Sequence, residues 1–238
     1  MKVSRRKQLR IGRVLNEFLA PSLRDARWFM HLPIKVVYGR DAALVMDFKD
    51  HVYGMTDAEI VNTYRRLGSC SLTRVTDLNA ACAERIVTDT VGTSVLEVGC
   101  GEGALASTLS RTVRVTACDI VTKPEIIDRY PTVTFREANA ESLPFRDDEF
   151  DTVVSTHTLE HVRDVRRAID ELRRVAKRRV IVVVPKERPY RYTFNLHLHF
   201  FPYEHVLRGA FGGRAWINAI CETVDGDLYY REDLGPAS

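Results

Sequence analysis

Glu97-Val98-Gly99-Cys100-Gly101-Glu102-Gly103 sets an acid ahead of three glycines at every second position. Glycine tolerates positive φ and lets a ligand approach the backbone closely. The residues before the turn, Val95 to Val98, read as a short buried strand, and Ala104 to Leu109 after it as a helix. Strand, glycine turn and helix N-terminus together form the opening unit of a nucleotide-binding α/β fold. Two spacings compete. G-x-G-x-x-G, with Ala104 in the third small position, is a dinucleotide pattern. G-x-G-x-G behind the acid Glu97 is a different one. Further on, Asp119 closes a strand spanning Val113 to Ile120, where a carboxylate can accept two hydrogen bonds from ribose hydroxyls. His157 follows the strand Thr152 to Thr156, and His197 and His199 lie in a polar loop running from Asn195 to His205. Histidine titrates near neutrality and can take a proton from a hydroxyl. His197 and His199 have the i, i+2 spacing of metal ligands, but no local acid or cysteine pair accompanies them. No metal is expected.

These residues need a parallel sheet beneath them, because ligands of open α/β sheets bind beyond the carboxyl ends of the strands. The pattern supplies one. Thr122-Lys123-Pro124-Glu125 opens a helix closing near Tyr130-Pro131, and Val133 to Glu137 is a third strand. A helix with apolar Val165, Ala168, Ile169, Leu172 and Val175 precedes the all-apolar strand Val180 to Pro185. Its arginines (Arg163, Arg166, Arg167, Arg173, Arg174) lie largely off that stripe, as a solvated face or an anion-binding one. Pro202 to Phe211 reads as a helix closed by Gly212-Gly213. Trp216 to Val224 and Leu228 to Arg231 make a hairpin around Asp225-Gly226. The fold class is α/β: a doubly wound, Rossmann-like, mostly parallel sheet of seven strands.

Residues 1–90 read as an N-terminal helical cap and 91–238 as the core. Lys2, Arg5, Arg6, Lys7, Arg10 and Arg13 begin the chain without an acid, followed by an apolar stripe from Ile11 to Leu19 that stops at Pro21. One reading is an amphipathic helix packed on the core; the other is a surface for phosphates or an anionic membrane. A short helix from Asp25 should end at Pro33. Thr56-Asp57-Ala58-Glu59 has capping-box spacing, and Thr76 is the expected cap of a helix from Asp77 to Val87. Tyr38, Phe48, Tyr53 and Tyr64 read as core aromatics or as the lining of an acceptor pocket.

The charge of +3 on 238 residues does not by itself argue for nucleic acid. Five scattered cysteines without a C-x-x-C pair point to a reducing compartment. No apolar run approaches the ~20 residues that span a bilayer, and no signal-peptide core follows the basic start, so a cytoplasmic location is expected.

Ala138-Asn139-Ala140-Glu141-Ser142-Leu143-Pro144-Phe145, leading into Phe150-Asp151-Thr152-Val153, is specific. Together with the acid and glycine turn it resembles class I S-adenosylmethionine-dependent methyltransferases. The likeness is to the methyltransferase type 11 group, typified by menaquinone and ubiquinone methyltransferases, and it runs from Val95 to about Pro185. The resemblance implies S-adenosylmethionine as cofactor, held by Glu97, Gly99, Gly101, Gly103, Asp119, Asn139, Ala140 and His157. The family's acid at the adenine amino group is replaced here by Asn139, whose side-chain oxygen also accepts a hydrogen bond. Phe145 either flanks the adenine or packs in the core, and His161 supports the fold. The catalytic candidates are His157, His197 and His199. The expected reaction is O-methylation of a sugar or glycosylated metabolite. N- or C-methylation, a non-catalytic S-adenosylmethionine-binding partner and an NAD-dependent oxidoreductase are the alternatives. The acceptor is expected to be a small carbohydrate-like molecule rather than nucleic acid. The oligomeric state is left open.

Overall fold

The computed structural model describes residues 20–68, 76–213 and 217–235. The chain divides into two compact units, residues 1–74 with 188–198, and residues 75–187 with 199–238. The predicted basic helix before Pro21 lies outside the described residues.

The first unit is helical. Helices α1 (Pro21–Arg24), α2 (Arg27–Tyr38), α3 (Ala42–His51) and α4 (Asp57–Gly68) follow one another closely. Pro33 does not end a helix as expected; it lies inside α2. The missing N–H costs one rung of the ladder, and burial of Met30 and Ile34 on either side keeps the helix continuous. The capping box at α4 forms: Thr56 N–H donates to Glu59 Oε2 at 2.7 Å and Glu59 N–H to Thr56 Oγ1 at 3.3 Å. Phe48 is buried, with its ring edge-on to Tyr64, whereas Tyr53 is 63% exposed. Residues 188–198 belong to this unit through backbone capture. Arg24 donates to the Pro189 carbonyl at 2.9 Å, Lys49 to the Tyr190 carbonyl at 2.7 Å, Tyr38 to the Phe194 carbonyl, and the Arg191 N–H to Asp25 at 2.8 Å.

The second unit begins earlier than residue 91. Helix α5 (Ala80–Asp89) belongs to it because Cys82 and Ile86 are buried against Val95, Leu109, Val115, Ile181 and Tyr229. Its cap is Asn79, accepting from Cys82 N–H at 2.8 Å, instead of Thr76, whose hydroxyl takes the Leu78 N–H at 3.1 Å. The remaining elements are β1 (Ser94–Val98), α6 (Ala104–Leu109), β2 (Arg114–Asp119), α7 (Pro124–Arg129), β3 (Val133–Glu137), β4 (Phe150–Thr156), α8 (Val165–Val175), β5 (Ala176–Pro185), α9 (Glu204–Phe211), β6 (Ala219–Val224) and β7 (Asp227–Asp233). The seven strands run in the order β3-β2-β1-β4-β5-β7-β6. The first five are parallel, and β7 enters antiparallel between β5 and β6. Asp225 and Gly226 join β6 to β7 at φ of 44° and 90°, the two left-handed residues of a tight hairpin.

Strand periodicity divides the core. Leu96 and Val98 of β1 join Val153, Val180 and Val182 under α8 and α9, while Val95 joins Val115, Val154 and Ile181 under α5 and α6. Two arginines of α8 staple the layers and form neither a solvated nor an anion-binding face. Arg173 forks onto Glu232 at 2.8 and 2.9 Å; Arg174 takes Glu171, Asp147 and the carbonyls of Leu143 and Phe145. Phe145 is a core aromatic, edge-on to Phe150 at 5.1 Å.

Candidate functional site

Gly99, Gly101 and Gly103 have φ of +78°, +51° and +74°. They are glycine for different reasons. A Cβ on Gly99 would lie 1.9 Å from Thr158 Oγ1, a hydroxyl that donates to the Thr156 and Val98 carbonyls at 3.0 and 3.3 Å. A Cβ on Gly103, the cap of α6, would meet the Phe135 ring at 3.1 Å. A Cβ on Gly101 would meet nothing within 4 Å among the described residues. Gly101 is thus the place where the turn leaves open space over its backbone. The turn is tied to β2: Gly99 and Cys100 N–H both donate to the Cys118 carbonyl at 2.8 and 3.0 Å, and Gly101 N–H to Asp119 Oδ2 at 2.8 Å.

Two carboxylates stand behind this turn. Glu97 is 2% exposed on β1. Burial pushes it up to about 8, opposed by a hydrogen bond from the Ala106 backbone and reinforced by the charge of Asp119. Burial also raises Asp119 above the usual carboxylate range, opposed by backbone N–H groups of Gly101, Val121 and Ile120. One Asp119 oxygen holds Gly101 and the other takes a long 3.4 Å approach from Val121 N–H, so the carboxylate keeps capacity to accept from a ligand hydroxyl. The Asp119 carbonyl takes Ala138 N–H at 2.9 Å, which brings the Asn139 loop alongside. Asn139 Oδ1 accepts Glu141 N–H at 2.9 Å, and Ala140 is 9% exposed in the core. The turn, Asp119 and Asn139 therefore meet at one sheet edge.

His157, next along that edge, has a φ of 50° and donates its N–H to the Val183 carbonyl at 2.8 Å. Its ring lies between two carboxylates, with Nε2 3.3 Å from Asp227 Oδ2 and Nδ1 3.6 Å from Glu160 Oε1. Burial opposes the imidazolium, but Asp227 and Glu160 outweigh it and raise the group to about 10. Both carboxylates favour the protonated ring, which has no lone pair to accept a proton, and this counts against the expected role of His157 as general base. Glu160 and Asp227 were not singled out from sequence. Glu160 stands within the run Thr158-Leu159-Glu160-His161, but Asp227 arrives from the hairpin, 70 residues beyond His157, with no local signal.

The other two histidines part company. His197 belongs to the first unit and His199 to the second. His199 N–H donates to the Glu160 carbonyl at 3.1 Å, which ties it to the loop carrying His157, and its Nε2 is buried without a hydrogen-bond partner among the described residues. His161 closes that loop by donating its N–H to the Thr158 carbonyl at 2.9 Å. Beyond β5, a surface cavity of about 370 Å³ is lined by Lys186, Tyr203, Glu204, His205 and Arg208. Among the described residues no helix is long and apolar enough to cross a membrane.

The family described as Methyltransferase domain matches residues 96–184. A probable S-adenosylmethionine-dependent methyltransferase of Mycobacterium tuberculosis is 32% identical over 115 residues, 47% of this chain and 41% of that protein. A 2-phytyl-1,4-naphtoquinone methyltransferase of Nostoc sp. is 34% identical over 98 residues, 36% of this chain and 43% of that protein. Both matches span well under half of those relatives. A crystal structure of a SAM-dependent methyltransferase from Thermotoga maritima superposes with a TM-score of 0.51 at 17% identity, covering 74% of this chain and 96% of that one, a likeness of fold. The strand order and the glycine turn agree with the match of residues 96–184 to the methyltransferase domain family.

Proposed function

We propose that the protein transfers the methyl group of S-adenosylmethionine to a hydroxyl of a small-molecule acceptor, a sugar or glycosylated metabolite. The observation that carries the cofactor part is the open backbone at Gly101, held by Asp119. In this reading the turn from Gly99 to Gly103 cradles the cofactor, and Glu97 backs it from β1. Asp119 accepts from the ribose hydroxyls, and Asn139 and Ala140 bound the adenine. The bound cofactor supplies an electrophilic methyl on a sulfonium, so the chain's own task is orientation and exclusion of water.

An alcohol must lose its proton to become a good nucleophile. With Glu160 and Asp227 favouring its protonated form, His157 is assigned to fixing the loop after β4. His199 is the better base, because its Nε2 is buried beside that loop without a partner among the described residues. His197 is the remaining candidate. S-adenosylhomocysteine formation across a panel of sugar and glycoside acceptors tests the reading. His199→Ala should lower turnover by about 10²–10⁴-fold with cofactor affinity retained. Turnover within a few-fold of wild type would remove histidine base catalysis at this position. A naphthoquinone acceptor is the second reading, favoured by the similarity to the Nostoc protein. Turnover on a naphthoquinone but on no hydroxyl compound would select it.

A further inference from the structure

Helix α2 is apolar on two opposite faces. Met30 and Ile34 are buried, whereas Trp28, Leu32 and Val36 are 75%, 68% and 55% exposed. The last three stand at i, i+4 and i+8, one stripe along the helix, and Lys35 falls beside Trp28 at i+7. Single exposed apolar residues are ordinary, but a contiguous stripe led by tryptophan calls for an occupant.

The surrounding charge says which. Residues 27–38 contain no acid. The acids flanking α2 within its own unit are each engaged: Asp25 by the Arg191 N–H at 2.8 Å, Asp41 by Arg66 at 2.6 Å, and Asp47 by Arg27 at 2.5 Å. Lys35 and Arg40 are exposed and have no partner among the described residues. Upstream, residues 1–13 hold six cations and no acid. An apolar, tryptophan-bearing helix face edged by uncompensated cations is complementary to the headgroup boundary of an anionic bilayer. A protein partner of acidic and apolar character would need a matched shape; a lipid surface needs only these elements.

We propose that the exposed face of α2 docks the protein on an anionic membrane surface. Trp28, Leu32 and Val36 enter the headgroup boundary, and Lys35 and Arg40 meet lipid phosphates. The site is independent of the methyl-transfer reading.

The test is co-sedimentation of the full chain with vesicles rich in phosphatidylglycerol, compared with pure phosphatidylcholine. The wild type should bind the first and not the second, and lose binding at high salt. Trp28→Ser/Leu32→Ser should weaken partitioning at least about ten-fold, since two large apolar side chains no longer leave water. Lys35→Gln should weaken it about five-fold, the weight of one surface charge. In a Trp216→Phe background, Trp28 fluorescence should shift to the blue on anionic vesicles. All these side chains are exposed, so melting temperatures should stay near wild type, which separates docking from folding. Absence of wild-type binding would overturn the proposal. So would undiminished binding by Trp28→Ser/Leu32→Ser, which would assign it to the basic N-terminal residues alone. Loss of self-association in that variant, without lipid binding by the wild type, would show that the stripe meets a second copy instead.

Discussion

Replacing His157 by Gln removes its charge while keeping a side chain of similar reach between Glu160 and Asp227. The imidazole lies at about 10 in the folded protein, from 6.5 unperturbed. At about 1.4 kcal/mol per tenfold change in proton affinity, this sets a ceiling of about 5 kcal/mol. The sign follows from the direction. A raised histidine contributes fully below pH 6.5, and its contribution fades as pH climbs through 10. With the side chain 17% exposed, solvent screening removes little of it. Urea unfolding at pH 6, 8 and 10 should therefore show wild-type stability falling across that window by several kcal/mol. His157→Gln should be less stable at pH 6, by about 3–5 kcal/mol for a buried cation removed from its carboxylates, and the gap should close towards pH 10. Glu97, raised to about 8, also lowers stability between its unperturbed 4.5 and 8, but equally in both proteins. A pH-independent gap between wild type and variant would refute the clamped imidazolium and restore His157 as a base.

Gly99→Ala and Gly101→Ala should behave oppositely despite similar φ. The first drives a methyl into Thr158 and should cost several kcal/mol of stability, whereas the second meets only the left-handed penalty of about 1–2 kcal/mol, a fall of a few degrees in Tm. Calorimetric melts decide between them, and equal losses would mean that the Gly99–Thr158 packing is wrong. Asn139→Asp should keep or tighten S-adenosylmethionine binding, because an acceptor remains for both Glu141 N–H and ligand, and Asn139→Leu should weaken it. Equal affinity for all three by titration calorimetry would exclude a side-chain role there.

Much of this architecture was legible because its signals are local. Short continuous apolar and β-branched runs yielded the strands, and Asp225-Gly226 yielded the hairpin that completes the sheet. The glycine spacing located the turn, and Asp119 stood at the tip of β2 as expected. Pro33 misled because burial of Met30 and Ile34 outweighs one missing rung, a tertiary effect invisible in the local pattern. Thr76 misled because Thr and Asn cap alike, and Asn79 also reaches Asp227 and the Val224 carbonyl. The state of His157 was hidden for a similar reason. Its partner Asp227 is distant in sequence, and only the antiparallel entry of β7 beside β5 brings it near.

The most direct measurement of the central claim is titration calorimetry of S-adenosylmethionine, S-adenosylhomocysteine and NAD into wild type, Gly101→Val and Asp119→Ala. Saturable binding of the first two ligands and none of NAD is expected. Gly101→Val should lose binding, as a branched side chain fills the open space over the turn. For Asp119→Ala the expected loss is about 1.5–3 kcal/mol, roughly a 10- to 150-fold rise in Kd. Undiminished S-adenosylmethionine binding by both folded variants, or saturable binding of NAD in its place, would contradict that claim.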